Sequence, residues 1–158
     1  ENCVRGSKTD WTIIRTVVLY GHGIAPKASF ISWLTEMLSA GKPVNIVTDQ
    51  ISNMTFVDDL TLGIEAVILR QFSGIVNMGG AEVMSRYEFA RIVAEVFGYD
   101  QALIKPILTA DLKQAAPRPL RSVLDISLAE EKLGYVPRMV AETVGIYKHA
   151  VMGHPPQP

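Results

Sequence analysis

Two arginines, Arg118 and Arg121, flank Pro119 in the stretch APRPLRS (residues 116–122). Nothing about that stretch needs arginine for packing. Two guanidinium groups on a proline-stiffened loop suit bidentate capture of a phosphate or carboxylate, with a surface salt bridge as the competing use. Gln50, Asn53 and Thr55 form a second polar cluster, able to hydrogen-bond a sugar or base or to satisfy their own turn. The loop Gly21-His22-Gly23 follows a strand-like run, and ligands of open α/β sheets bind at such places. A full dinucleotide fingerprint would need a third glycine at position 26, which is Pro26. His22 and Gly23 are therefore either ligand contacts or plain loop. Asp58 and Asp59 offer a carboxylate pair for acid–base work, although the same pair at a helix start would cap it and offset its dipole. Cys3 lacks an evident activating base, and His149 and His154 have no cysteine or carboxylate partner at ligand spacing, so no metal site is expected. There is no P-loop, no G-x-S-x-G elbow, no H-E-x-x-H and no aromatic-basic interleaving.

These residues need elements to hold them. The near-continuous β-branched and aromatic run WTIIRTVVLY (residues 11–20) predicts a strand buried on both faces, as in a parallel sheet covered by helices. Residues 30–40 place Phe30, Trp33, Leu34, Met37 and Leu38 on one helical stripe, stopped by Gly41. A short strand over 44–48 and a polar loop over 49–53 follow. A helix then starts at Asp58-Asp59 and runs to about Gln71, with Leu60, Ile64, Val67 and Ile68 on its buried face. GIVN (residues 74–77) reads as a strand and Gly79-Gly80 as a turn. Ser85 and Glu88 form a capping box for a helix that runs to Phe97 and ends at Gly98. Residues 103–108 are extended and broken by Pro106. Ser127 and Glu130 predict a second capping box, before a short helix ending at Gly134. A last amphipathic helix covers 139–151, and the proline-rich residues 154–158 are expected to be poorly ordered. The order β-α-β-α-β-α, then an irregular segment and two helices, argues an α/β fold with some parallel pairing.

Composition bounds the function classes. A chain of 158 residues suits one domain, and 48% hydrophobic with 20% charged residues is the balance of a globular protein. Fifteen basic against sixteen acidic residues give a net charge of −1, which removes the electrostatic case for nucleic-acid or membrane-surface partners. One cysteine excludes an internal disulfide framework. No apolar run approaches the roughly 18 residues that cross a bilayer, so a soluble, cytoplasmic protein is expected. The chain starts at Glu1, and the run over 11–20 has few candidate sheet neighbours upstream. A missing preceding segment is therefore expected, together with self-association or exchange of segments at that underprotected strand.

Six segments add a resemblance: WTIIRT-VVLYG (11–21), GKPV…DQ (41–50), TFVDDL (55–60), GIVNMGG (74–80), SRYEFA (85–90) and RPLRSVLD (118–125). In this order and spacing they resemble the carboxyl-terminal half of an extended short-chain dehydrogenase/reductase. The nearest groups are the dTDP-4-dehydrorhamnose reductases and the NAD-dependent epimerase/dehydratases. The resemblance covers roughly residues 11–135. It implies the carboxyl-terminal part of a Rossmann-type α/β fold with a small substrate-binding lobe. Residues 1–26 would be the last part of the sheet region, 27–151 the substrate-binding lobe with returning sheet elements, and 152–158 a disordered tail. It implies NADP or NAD in the full-length parent and a nucleotide-sugar substrate. Thr16, Val17 and Tyr20 would lie near the nicotinamide or the sugar, and Gln50, Asn53, Thr55, Arg118 and Ser122 would line the nucleotide-sugar side.

The resemblance also implies a glycine-rich cofactor turn and a Tyr-x-x-x-Lys pair, and this chain shows neither. Upstream of Trp11 there is no tyrosine, and Lys8 has no partner. No catalytic residue is assigned, and the chain alone is expected neither to turn over nor to retain NADP(H). Val18 stands where these reductases usually carry tryptophan, and Met54-Thr55 where they carry Pro-Thr. Both departures argue against dTDP-4-dehydrorhamnose itself as the substrate. They are compatible with a noncatalytic module like the regulatory beta subunits of methionine adenosyltransferase. A sugar-nucleotide epimerase or dehydratase is the third reading.

Overall fold

The computed structural model describes residues 1–23, 29–112 and 116–153. Pro26 and the tail 154–158 lie outside the described residues. A short exposed helix, α1 (Asn2–Arg5), precedes the expected long strand, which is in fact two strands in two sheets. β1 (Thr12–Arg15) pairs in parallel with β6 (Gly74–Asn77), and β2 (Leu19–Tyr20) pairs in parallel with β5 (Thr55–Phe56). The break falls at Val18, whose φ of 38° is left-handed, a rare conformation for a β-branched residue. Thr55 fastens the kink. Its amide donates to the Val18 carbonyl at 3.1 Å and its hydroxyl to the Val17 carbonyl at 2.7 Å. Burial on both faces is also corrected: β1 is only half-buried, its Arg15 is exposed, and among the described residues it has a strand neighbour on one edge.

β3 (Val44–Val47) pairs in parallel with β8 (Ile104–Ile107). Pro106 sits opposite Ile46 and is tolerated because β8 is an edge strand. A three-stranded sheet places β4 (Ile51–Ser52) between β7 (Met84–Ser85), antiparallel, and β9 (Arg121–Ser122), parallel. This pairing matters most for the site, because it brings the chain after residue 116 alongside Gln50. The Ile51 amide donates to the Leu120 carbonyl at 2.7 Å.

α2 (Phe30–Ser39) is capped by the Ser29 hydroxyl, which accepts from the Ser32 amide at 3.3 Å. It buries Ile31, Leu34 and Leu38, so the inward face is rotated from the expected stripe and Trp33 is 37% exposed. α4 (Arg86–Phe97) has the expected capping box: the Glu88 amide donates to the Ser85 hydroxyl at 3.1 Å, and the Ser85 amide to the Glu88 carboxylate at 2.7 Å. Gly98, at φ 78°, ends it. α2, α4 and α6 (Val140–Gly153) pack with β3 and β8 around the main core, where Leu34, Ile46, Phe89, Val93 and Val144 meet.

A second, smaller core joins α3 (Val57–Leu69), β6 and α5 (Ser127–Leu133) through Val67, Val76, Met78, Leu133 and Tyr135. The face expected of α3 is corrected here. Ile64 and Ile68 are 40% and 69% exposed, while Asp59, Gly63 and Val67 are buried. The pairing of Asp59 and the close approach of Met78 and Tyr135 to Gly63 set the helix's rotation. The second capping box does not form. Ser127 is itself the first helical residue, and the Asp125 carboxylate accepts from its amide at 3.0 Å and its hydroxyl at 2.6 Å. Gly79-Gly80 is not demanded by a left-handed turn. A Cβ on Gly80 would overlap the Met54 carbonyl oxygen, and one on Gly79 the Asn53 amide, so two chain segments press together there.

Candidate functional site

A cleft of about 290 Å³ opens between α2, β3 and the start of α4. One wall is aromatic. The rings of Phe30 and Trp33 lie 6.0 Å apart at 33°, beside Asn45, Ile46 and Val47 of β3. The other wall is polar and cationic, made by Gln50, Arg86 and Arg118, with Leu112 at its margin. Arg86 is the first residue of α4. Its amide donates to the Gln50 carbonyl at 3.1 Å, and its guanidinium sits 5.1 Å over the Phe30 ring. Burial lowers the pKa of this guanidinium from its ordinary value, and the nearby positive charge of Arg118 lowers it further. Neither arginine has an ion-pair partner among the described residues.

Gln50 is fixed from behind. Its Nε2 donates to the Thr109 hydroxyl at 3.1 Å, and that hydroxyl and the Thr109 amide both donate to Asp49, at 2.7 and 2.9 Å. The Thr109 hydrogen bonds hold the Asp49 carboxyl below its usual range. The arrangement can take an anion against two cations and lay a flat ring near two aromatic side chains.

Of the residues singled out from sequence, the fold brings Gln50 and Arg118 together in this cleft. The others go elsewhere. Asn53 is buried as an internal clip, donating to the Gly80 and Leu124 carbonyls at 3.3 and 3.0 Å and accepting from the Leu124 amide at 3.0 Å. Thr55 is buried, with its hydroxyl on the Val17 carbonyl. These two thus fasten distant segments, and neither serves only its own turn. Ser122 lies in β9, where its carbonyl accepts from the Ser52 hydroxyl at 3.0 Å. Arg121 is exposed beside it, outside the cleft lining, and His22 and Gly23 are exposed loop. The aspartate pair splits. Asp58 is exposed, whereas Asp59 is buried against Arg138, so the two do not share a proton-transfer site.

The three residues assigned to a nicotinamide cofactor do not make a dinucleotide site by themselves. Thr16 is exposed, the Val17 carbonyl is taken by Thr55, and Tyr20 is buried in the main core. The Tyr20 hydroxyl bonds to Thr143, and burial pushes its pKa up to about 12, so it stays protonated near neutral pH. The sequence hides Arg86 within its capping box and the cleft-lining placement of Phe30 and Trp33 within an apolar helical stripe. One signal was available: a cation in a helix's first turn is disfavoured by the dipole, so capping does not account for Arg86.

Fold and site together define an α/β lobe with a cationic, aromatic cleft on its surface. Residues 1–150 match the family model described as the RmlD substrate binding domain, and the chain belongs to that family. It is 33% identical over 150 residues to the spore coat polysaccharide biosynthesis protein SpsK of Bacillus subtilis (strain 168), a match covering 93% of this chain and 50% of that protein. A dTDP-4-dehydrorhamnose reductase from Clostridium acetobutylicum superposes with a TM-score of 0.80 at 25% identity, covering 89% of this chain and 49% of that one. The fold is also that of a Bacillus anthracis dTDP-4-dehydrorhamnose reductase solved in complex with NADP, with a TM-score of 0.78 at 22% identity over 88% of this chain and 48% of that one. The chain spans about half the length of the relatives it matches, the carboxyl-terminal half of Rossmann-type reductases. The resemblance and the α/β fold expected from the sequence are borne out at this level. Among the described residues no helix is long and apolar enough to cross a membrane.

Proposed function

We propose that this chain is the sugar-nucleotide-holding part of a nicotinamide-dependent reductase of the cytoplasm, with a dTDP-linked keto sugar as its substrate. The observation that carries the reading is the meeting of Arg118 with Gln50 in the aromatic cleft, produced by the pairing of β4 with β9. Arg118 takes a phosphate of the nucleotide, Phe30 and Trp33 flank its base, and Gln50 hydrogen-bonds the sugar or base. NADP or NAD, held mainly by segments outside this chain, supplies the hydride when bound. The residues here bind and orient the acceptor. Of the cofactor-side assignments, exposed Thr16 is the one left free to contact it. The family membership and the reductase relatives support this reading over a noncatalytic module.

The test is calorimetric titration of the 158-residue chain with dTDP, beside Arg118→Gln. Losing one charge-assisted bidentate contact should weaken dTDP binding about tenfold or more. Equal affinity for the variant, or no dTDP binding by the unaltered chain, would contradict the proposal.

A further inference from the structure

We infer that Asn53 is a positioning residue for the cleft: its buried side-chain amide sets the register of β9 on β4 and so holds Arg118 beside Gln50. This rests on the reading of the cleft as a dTDP site, and adds to it a residue that touches no ligand. The pairing that carries Arg118 into the cleft is short. β9 meets β4 at two positions, Ile51 opposite Arg121 and Ser52 opposite Ser122. Upstream, Pro117 and Pro119 flank Arg118 and have no backbone N–H, so the arginine's own segment has few donors with which to fix itself. A slip of one residue would move that segment about 3.3 Å along β4, enough to take a guanidinium out of hydrogen-bond range of its partner.

The missing constraint comes from downstream. Asn53 follows β4 directly, and its side chain pairs with both backbone groups of Leu124. Oδ1 accepts from the amide at 3.0 Å, and Nδ2 donates to the carbonyl at 3.0 Å. A primary amide carries the same acceptor and donor as a peptide unit, so this side chain extends the two-residue ladder as a backbone would. Nδ2 also donates to the Gly80 carbonyl at 3.3 Å, and a Cβ on Gly79 would overlap that nitrogen, so a second chain segment closes over the amide. Asn53 is 2% exposed, and the Ser52 hydroxyl beside it bonds the Ser122 carbonyl at 3.0 Å, which ties the downstream end of β9 twice. Aspartate has the same shape but no N–H, and alanine has neither group, so each undoes the clip.

The experiment measures dTDP affinity by calorimetry and exchange of the Ile51 amide by nitrogen-15 spectra. The proteins are the 158-residue chain, Asn53→Asp, Asn53→Ala, Arg118→Gln, the double variant of Asn53→Ala with Arg118→Gln, and Asp59→Ala. The Ile51 amide donates to the Leu120 carbonyl, outside the Asn53 clip, and so reports the register. Both Asn53 variants should speed its exchange at least tenfold and weaken dTDP about tenfold, as far as Arg118→Gln does. The double variant should bind within about twofold of Arg118→Gln, since the two residues act as one unit. Asn53→Ala buries no charge and keeps the test valid if the aspartate variant folds poorly. Asp59→Ala loses stability elsewhere and should keep dTDP affinity within about twofold, which is the pattern a merely structural role for Asn53 would give. If Arg118→Gln weakens dTDP while the Asn53 variants bind it as the unaltered chain does, or if the losses add in the double variant, the inference falls and the proposed function stands. Unchanged Ile51 exchange in both Asn53 variants overturns it as well. If the unaltered chain does not bind dTDP, or Arg118→Gln leaves binding intact, both fall.

Discussion

Asp59 is 4% exposed, and its side-chain bonds all go to Arg138: the guanidinium at 2.6 and 2.7 Å and the backbone amide at 3.0 Å. The partner lies 79 positions away, so local pattern could offer only the helix-start role for this residue. Asp59→Ala would leave the Arg138 guanidinium, 31% exposed and 5.3 Å over the Phe56 ring, without a counter-charge. The expected cost is about 2–4 kcal/mol, toward the lower end because Arg138 still reaches solvent. Urea unfolding measures it, and a loss below about 0.5 kcal/mol, the scale of an ordinary surface change, would contradict this role. Arg86 and Arg118 are the opposite case, cations without an ion pair among the described residues. Arginine in a proline-stiffened loop was legible from sequence as a candidate anion contact. Arg86 was not, because a capping box accounts for its neighbours and says nothing about where the guanidinium points.

Elements set by contiguous residues were legible, and elements set by distant contacts were not. The Ser85-Glu88 box and the Gly98 stop of α4 came out as expected because both signals are local. The Ser127 box failed because Asp125, two residues upstream, takes the same amide. β4, β7 and β9 are two residues each, too short to show any periodicity, yet their pairing assembles the cleft. The faces of α2 and α3 were misplaced because apolar residues near the cleft and on the outer side of α3 mimic core residues. Close approach of strands is equally invisible in sequence. Gly80→Ala forces a methyl group onto the Met54 carbonyl oxygen, and should cost about 2 kcal/mol or more. Gly145→Ala in α6, where a methyl meets nothing within 4 Å, should instead stabilise by about 0.5–1 kcal/mol. Paired thermal melts check both, and equal melting temperatures for the two variants would overturn the argument from close approach.

The whole molecule has two cores of unequal closure. The main one is enclosed by α2, α4 and α6, and the cleft sits on its surface. The smaller one leaves Leu62, Ile68 and Leu69 of α3 at 59%, 69% and 76% exposure, and β1 has one strand neighbour among the described residues. The α/β class and its parallel pairing were readable from the order of elements. The half-buried state of β1 was not, since an apolar run does not say how much covers it. The cleft lies on the larger, better closed core, so its ligand contacts should not depend on what covers the smaller one. Nitrogen-15 spectra of the two tryptophan indoles during dTDP titration test this most directly. Trp33 lines the cleft, while Trp11 sits beside β6, its carbonyl accepting from Gly74 at 3.0 Å. The Trp33 signal should move to saturation with Trp11 unchanged; a moving Trp11 with a still Trp33, or no movement of either, would contradict the account.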